Sequence, residues 1–281
     1  MRKHNYLNNK DILSEIHKSK SSFCSYTENE YNQYDLIIPL QGPYGTLEEG
    51  LAKINIRTIA EAKRNQAKRL QTQAFDAAKA EGQKVKLAEF EVNWKKIKKE
   101  DLVFRVMSYD HVPEEVGRKK TPKTVADTKT KLNFPPFQHF KFDADGNLFC
   151  VGKSHWVGGM DNGYFDKQHG KVTNKLAHMW MKLCERYATR GNVRGYTYND
   201  EMRGQAILQL TQIGLQFDES KSQNPFAYYT AAVTNSFVRV INLEKRNQNI
   251  RDDILEMNDM SPSYTRQAAR EWEANNPATS K

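Results

Sequence analysis

Residues 224–247 read NPFAYYTAAVTNSFVRVINLEKRN. Asn224 followed by Pro225 is a helix start. The Asn side chain satisfies a free amide of the first turn, and Pro has no amide to satisfy. Apolar residues then recur at Tyr229, Val233, Phe237, Val240 and Ile241, which is one face of an α-helix. The other face carries Tyr228, Asn235, Arg239, Asn242, Lys245 and Arg246. Cations suit phosphates, amides suit base edges and an aromatic ring suits stacking, so this face is expected to lie on nucleic acid.

Two more helices are expected just upstream. Leu176, Met179, Trp180, Leu183, Cys184 and Tyr187 form a full apolar stripe. Asn199 is expected to cap the next helix, whose Met202, Ala206, Leu210, Ile213 and Phe217 face inward. Downstream, residues 257–281 form a polar tail in which Tyr264, Ala268 and Trp272 mark one short amphipathic helix.

Towards the N-terminus, Asn8 or Asn9 caps a short helix reaching about Lys18, with Ile12, Leu13 and Ile16 on one face. Residues 19–50 read as loop or extended chain around LIIPL. Residues 56–82 are rich in helix formers and stop at Gly82. Residues 85–99, with Leu87, Phe90, Trp94 and Ile97 at helical spacing, predict a second helix paired with the first. Residues 102–109 alternate and predict a strand. Residues 110–133 read as an exposed, mobile loop. HFKF and LFCVG flank Asp143-Ala-Asp-Gly146, a β-hairpin signal. The glycines of HWVGGMDNGYF argue against a further helix.

The chain has 281 residues, 38% of them hydrophobic, enough for a folded core. With 43 Lys and Arg against 34 Asp and Glu, its net charge of +9 favours a polyanionic partner. Cys24, Cys150 and Cys184 are far apart and signal neither a disulfide framework nor a zinc motif. No apolar run is long enough to span a bilayer, so no membrane partner is expected. No phosphate-binding, dinucleotide-binding, nucleophile-elbow or metalloprotease motif occurs. His139, Cys150, His155 and His169 match no common zinc spacing and read as hairpin and loop residues. His178 reads as helix surface, and Cys184 as packed. No catalytic residue, metal or cofactor is assigned.

KLAHMWMKLCERY, YTYNDEMRGQAILQLTQIGLQFD and NPFAYYTAAVTNSFVRVI together resemble the central conserved domain of bacterial sigma factors. Within that superfamily they are most similar to the late-gene sigma factors of large tailed phages, cyanophages included. YLNNKDILSEI is similar to the start of those proteins. The resemblance covers residues 1–20 and about 171–256. It implies a mainly α fold: an N-terminal helix (1–20) packed on a three-helix sigma-type domain (171–256). A long α+β insert (21–170) lies between them and is expected to be a separate, removable module. The second helix of the family binds a coiled coil of the largest subunit of host core RNA polymerase. Carried over, that role falls on Asn199, Asp200, Glu201, Arg203 and Gln205, in a register that two alignments place two residues apart. The third helix opens and reads promoter DNA. That role falls on Phe226, Tyr228, Tyr229, Asn235, Val238, Arg239, Asn242, Lys245 and Arg246.

The chain departs from the primary sigma factors by having Ala231-Ala232 where they carry a Trp pair. Each aromatic stack is worth roughly 1–3 kcal/mol per base, so strand opening is expected to need a partner. No helix-turn-helix follows residue 256. The motif by which late phage factors dock on a replication sliding clamp is not matched cleanly; Ile254-Leu255 or Trp272 stand nearest. A clamp and a late co-activator are the further partners the resemblance brings, and the cytoplasm of the infected bacterium is the implied compartment. Two rival readings remain: a non-specific nucleic-acid-binding protein without polymerase, and an enzyme housed in residues 100–170.

Overall fold

The computed structural model describes residues 7–83, 85–115 and 119–276. The expected residues 1–6 and the last tail residues, 277–281, lie outside them. The fold is mainly helical with a small mixed sheet. Strand β3 (Val103–Met107), next to one edge of the five-stranded sheet, is buried along its whole length, as suits a strand with neighbours on both faces. β3 lies antiparallel to β4 (Phe137–Phe142) and parallel to β2 (Leu36–Ile38). β4 continues antiparallel to β5 (Leu148–Ser154), and β5 to β1 (Cys24–Tyr26). The β4–β5 turn bonds Asp143 to Asn147 and Gly146, and Gly146 takes φ 87°, a conformation glycine adopts without a steric penalty. β6 (Trp156–Val157) and β7 (Tyr164–Phe165) form a separate two-stranded ribbon.

Helices flank the sheet, the first on the face of Arg105 and the next two on the opposite face. α1 spans Asn9–Ser21, capped by Asn8, whose Oδ1 accepts from the Asp11 amide at 2.7 Å. α2 (Leu47–Ala52) and α3 (Ile56–Ala80) carry capping boxes at Thr46 and Asn55. Ala62 of α3 packs with Leu102, Phe104 and Phe142, while Leu47 and Leu51 of α2 pack against Ile38, Val106 and Phe140. Two expectations fail here. Residues 85–99 do not form a second long helix; they make short 3-10 turns at Leu87–Phe90 and Trp94–Lys96 that lie along α3. Asn93 caps the second turn, and the Arg64 guanidinium sits 5.0 Å from the Trp94 ring, so side-chain contacts replace helical pairing. Nor are the described residues of 110–133 exposed throughout. Glu114 bridges Lys129, Val112 is buried, and α4 (Val125–Thr128) is capped by Thr124 and Asp127.

The glycine at position 152 is forced by a neighbour. It pairs with Tyr26 across β1 and β5, and a Cβ there would enter the Tyr26 ring. Gly152→Ala is expected to cost about 1–3 kcal/mol through overpacking, read as a melting temperature lowered by several degrees. An unchanged melting temperature would show that the ring moves aside freely.

The other face of the sheet buries charge. Arg105, in the middle of β3, is fully inaccessible. Its Nη1 donates to Glu219 Oε2 at 2.9 Å, its Nε to His139 Nε2 at 3.0 Å and its Nη2 to His17 Nδ1 at 3.3 Å. Its guanidinium carbon lies 3.8 Å and 3.9 Å from the Tyr34 and Phe137 ring centroids. Lys20, also buried, donates to the Phe217 carbonyl at 2.7 Å and lies 3.6 Å from the same Glu219 carboxylate. Two cations therefore share one carboxylate. Burial by itself would raise the Glu219 pKa; Lys20 and Arg105 outweigh it and hold the carboxyl below its usual range.

By its contacts the chain divides into two units. The first comprises residues 1–179 and 211–228, and the second residues 180–210 and 229–281. The division falls inside α5 (Asn174–Ala188), α6 (Asn199–Ile213) and α7 (Pro225–Met257). It differs from the boundaries expected at 20/21 and 170/171. α1, the sheet and residues 211–228 belong to one unit, because Glu219 joins Lys20 of α1 to Arg105 of β3. Ser22 also exchanges hydrogen bonds with the backbone of Lys171, both at 2.9 Å. In the second unit, Trp180, Leu183, Cys184 and Tyr187 form its core with Met202, Ala206 and Leu210, and with Tyr229, Val233, Phe237 and Val240. Trp180 meets Tyr229, and Tyr187 meets Phe237, edge to face.

Candidate nucleic-acid interface

α7 starts as its sequence predicts: Asn224 Oδ1 accepts from the Ala227 amide at 3.1 Å. The helix runs for 33 residues. In the second unit its two sides differ. Tyr229, Val233, Phe237 and Val240 are buried, whereas Ala231, Asn235, Val238, Arg239, Asn242, Lys245 and Arg246 are exposed. Steps of four and three residues carry 231, 235, 238, 242 and 245 along one stripe, about 21 Å long at helical rise. Amides and a guanidinium can read base edges there, Val238 can meet a thymine methyl, and the cations can pair with phosphates.

Tyr229 is 1% exposed, packed against Trp180; it supports the core and offers no face to a base. This corrects its assignment as a DNA-stacking residue, since the apolar period that places it inward leaves it no open side. Phe226 and Tyr228 belong to the first unit. Phe226 is exposed, and its amide donates to Asn9 Oδ1 at 3.2 Å. Tyr228 is half-buried, its hydroxyl donating to the Ile213 carbonyl at 3.2 Å and its ring 5.5 Å from that of Phe217. Burial raises the Tyr228 pKa.

On α6, Asn199 is a linchpin of the connection from α5. Its Nδ2 donates to the carbonyls of Ala188 and Val193 at 3.1 Å and 3.0 Å. The side chain thus bonds backwards, and because α6 begins at Asn199 itself, with the Met202 amide on the Tyr198 carbonyl, the cap position falls on Tyr198, which corrects the expected cap. Asp200, Glu201 and Gln205 are exposed. Asp200 pairs with Arg203 at 3.1 Å, and Glu201 accepts from Gln205 at 3.0 Å. Exposed pairs of this kind contribute little to stability, so this face is open to a competing partner at small cost.

The histidines singled out in the sequence are engaged in the fold. His139 Nδ1 donates to the Tyr31 carbonyl at 2.6 Å while its Nε2 receives Arg105. His155 is fully buried, its ring 4.1 Å from that of Phe134. Cys150 belongs to β5, and His169 contacts Asp166. His178 is exposed on α5. Among the described residues, no three His, Cys, Asp or Glu side chains are grouped to hold a metal ion. Burial pushes the Cys184 thiol up to about 11, which leaves it unreactive at neutral pH.

The feature missed by sequence reasoning is the Lys20–Arg105–Glu219 cluster. Its one legible signal was an arginine inside the apolar run LVFRVM. No helix among the described residues is long and apolar enough to cross a membrane. No family model, curated protein or solved structure matches the chain.

Proposed function

We propose that the chain is a sigma-type specificity subunit of the late phage kind, binding host core RNA polymerase and directing it to a short promoter element. The observation that carries this reading is the exposed stripe of amides and cations on α7, opposite a face that is packed from Tyr229 to Val240. The resemblance of the last three long helices to the sigma domain, and the net charge of +9, support it. In this reading Asp200, Glu201, Arg203 and Gln205 meet the polymerase coiled coil, while Asn235, Val238, Arg239, Asn242, Lys245 and Arg246 meet DNA. The chain performs no chemistry. With Tyr229 in the core and alanines at 231 and 232, strand opening draws on the polymerase or a late co-activator. A sliding clamp is a further partner, and the host cytoplasm is the compartment.

Run-off transcription with bacterial core polymerase on a short A·T-rich promoter tests this. A discrete transcript is expected only when the chain is added. Asn235→Ala and Arg239→Ala are each expected to lower its yield about tenfold, the scale of one lost base contact. Both variants are exposed-face changes and are expected to keep the wild-type melting temperature and polymerase co-purification. The stripe also fits a second reading, non-specific nucleic-acid binding without polymerase. DNA binding with no transcript and no co-purification with core polymerase would establish that reading instead.

A further inference from the structure

α7 presents one heptad face in two conditions. Tyr229, Val233, Ser236 and Val240 follow one another at steps of four, three and four, and all are buried in the second unit. The same spacing continues through Leu243, Asn247, Ile250, Ile254 and Met257. There the apolar members are bare: Leu243 is 54% exposed, Ile250 48%, Ile254 54% and Met257 84%. The core-facing seam thus runs on for about two more heptads, roughly 21 Å, without a cover among the described residues.

The following helix does not supply one. α8 (Tyr264–Asn275) has no buried residue and is tied to other positions of α7. Ser263, just before it, bonds Asp252 and Gln248. Arg266 bonds Asp253 at 2.6 Å and Arg270 bonds Glu256. The row of 248, 252 and 256 lies on the far side of the helix from Ile250 and Ile254.

The flanks of the bare seam say what fits it. Arg246 and Arg251 are exposed on its two sides, at the positions that pair across a coiled coil. Of the neighbouring acids, Asp253 is paired with Arg266, while Glu244 accepts from Asn247 Nδ2 at 3.2 Å and keeps its charge, so the seam's flanks stay net positive through Arg246 and Arg251. A second copy fits poorly. Parallel self-pairing sets Arg246 against Arg251 of the copy, and antiparallel pairing about Ile250 sets Arg251 against itself. We propose that residues 243–257 of α7 are a docking seam for an amphipathic helix of another protein whose apolar stripe is flanked by Asp or Glu. Asn247, a polar residue within the seam, selects the register of that partner. The inference rests on α7 and its flanking charges and does not require the transcriptional reading.

The probes are two synthetic 21-residue helical peptides with the same Leu/Ile seam, one flanked by Glu and one by Lys, titrated against the full chain by fluorescence anisotropy. The Glu peptide is expected to bind about tenfold more tightly, with the difference shrinking at high salt. Ile250→Asp with Ile254→Asp is expected to weaken it at least about a hundredfold at an unchanged melting temperature. Arg246→Glu with Arg251→Glu is expected to reverse the preference. Equal binding of both peptides, no binding of either, or binding that survives the Asp pair would overturn the proposal. So would a dimer in sedimentation that Ile254→Asp dissolves, which would assign the seam to a second copy. Recruitment to phosphatidylglycerol vesicles in place of the Glu peptide would assign it to a lipid surface.

Discussion

Glu219→Gln is expected to destabilise the first unit by about 3–5 kcal/mol, the cost of breaking a buried ion pair from one side. The carboxylate is the shared partner of Arg105, at 2.9 Å, and Lys20, at 3.6 Å, and neither cation reaches water. An amide keeps the shape and removes the charge, leaving two buried cations facing each other. Urea unfolding followed by circular dichroism measures the loss. Arg105→Met and Lys20→Met added to Glu219→Gln should recover much of it, because uncharged side chains carry no desolvation penalty. A loss below about 1 kcal/mol in the single variant would show that both cations find solvent. The same network bears on excision of residues 21–170. Joining Lys20 to Lys171 removes Arg105, His139 and the sheet, uncovers Lys20 and Glu219, and is expected to give insoluble protein.

Mild acid is expected to unfold the first unit between about pH 5 and 4. Burial lowers the pKa of His17 to about 3, helped by the charge of Arg105. Burial likewise lowers His155 to about 3 and His111 to about 4, and holds His139 well below its ordinary value. The unfolded chain takes up these protons near pH 6.5, whereas the folded chain refuses them until pH 4 or lower. Stability is therefore intact above pH 6.5 and falls as pH drops, by about 1.4 kcal/mol per unit for each ring. At pH 4.5 His17, His111 and His155 together cost on the order of 8 kcal/mol, comparable to the whole stability of a domain. Protonation of Glu219 acts in the same direction at lower pH, since its folded pKa is also depressed. Urea midpoints measured from pH 7.5 to 4.5 check the slope. A flat profile would mean that the rings exchange protons with water in the folded state.

The local part of this structure was legible in the residues themselves. Asn8 and Asn224 cap α1 and α7 through contacts within three residues. The inward stripes of α5 and α7, that of α6 as far as Leu210, and the Asp-Gly turn between β4 and β5 follow from helical and strand periods and from the φ that glycine permits; Phe217, expected on α6, lies beyond its end. What depends on distant partners was not legible. Residues 85–99 had a helical period, yet contacts with α3 hold them as 3-10 turns. Residues 110–133 had a loop's composition, yet backbone bridging and the Asp127 cap fold its described part. Asn199 had a cap's chemistry, yet α6 already includes it, and its amide nitrogen ties back to carbonyls of the preceding connection.

The candidate interface divides the same way. The period of α7 by itself determined that Asn235, Arg239, Asn242, Lys245 and Arg246 share a side away from Val233 and Phe237. Only the packed structure decided that Tyr229 is consumed by Trp180, and that the heptad face of α7 is covered as far as Val240 and bare beyond it. Arg105 is the clearest case. In the strand pattern it reads as a solvent-facing residue, because alternation records only which residues share a face. Whether that face meets water or protein depends on Glu219, 114 residues away, and on the rings of Tyr34 and Phe137. A periodic pattern is set by the geometry of one segment. The burial of a charge is set by whether a second segment brings its counter-charge, and that is decided when the chain closes on itself.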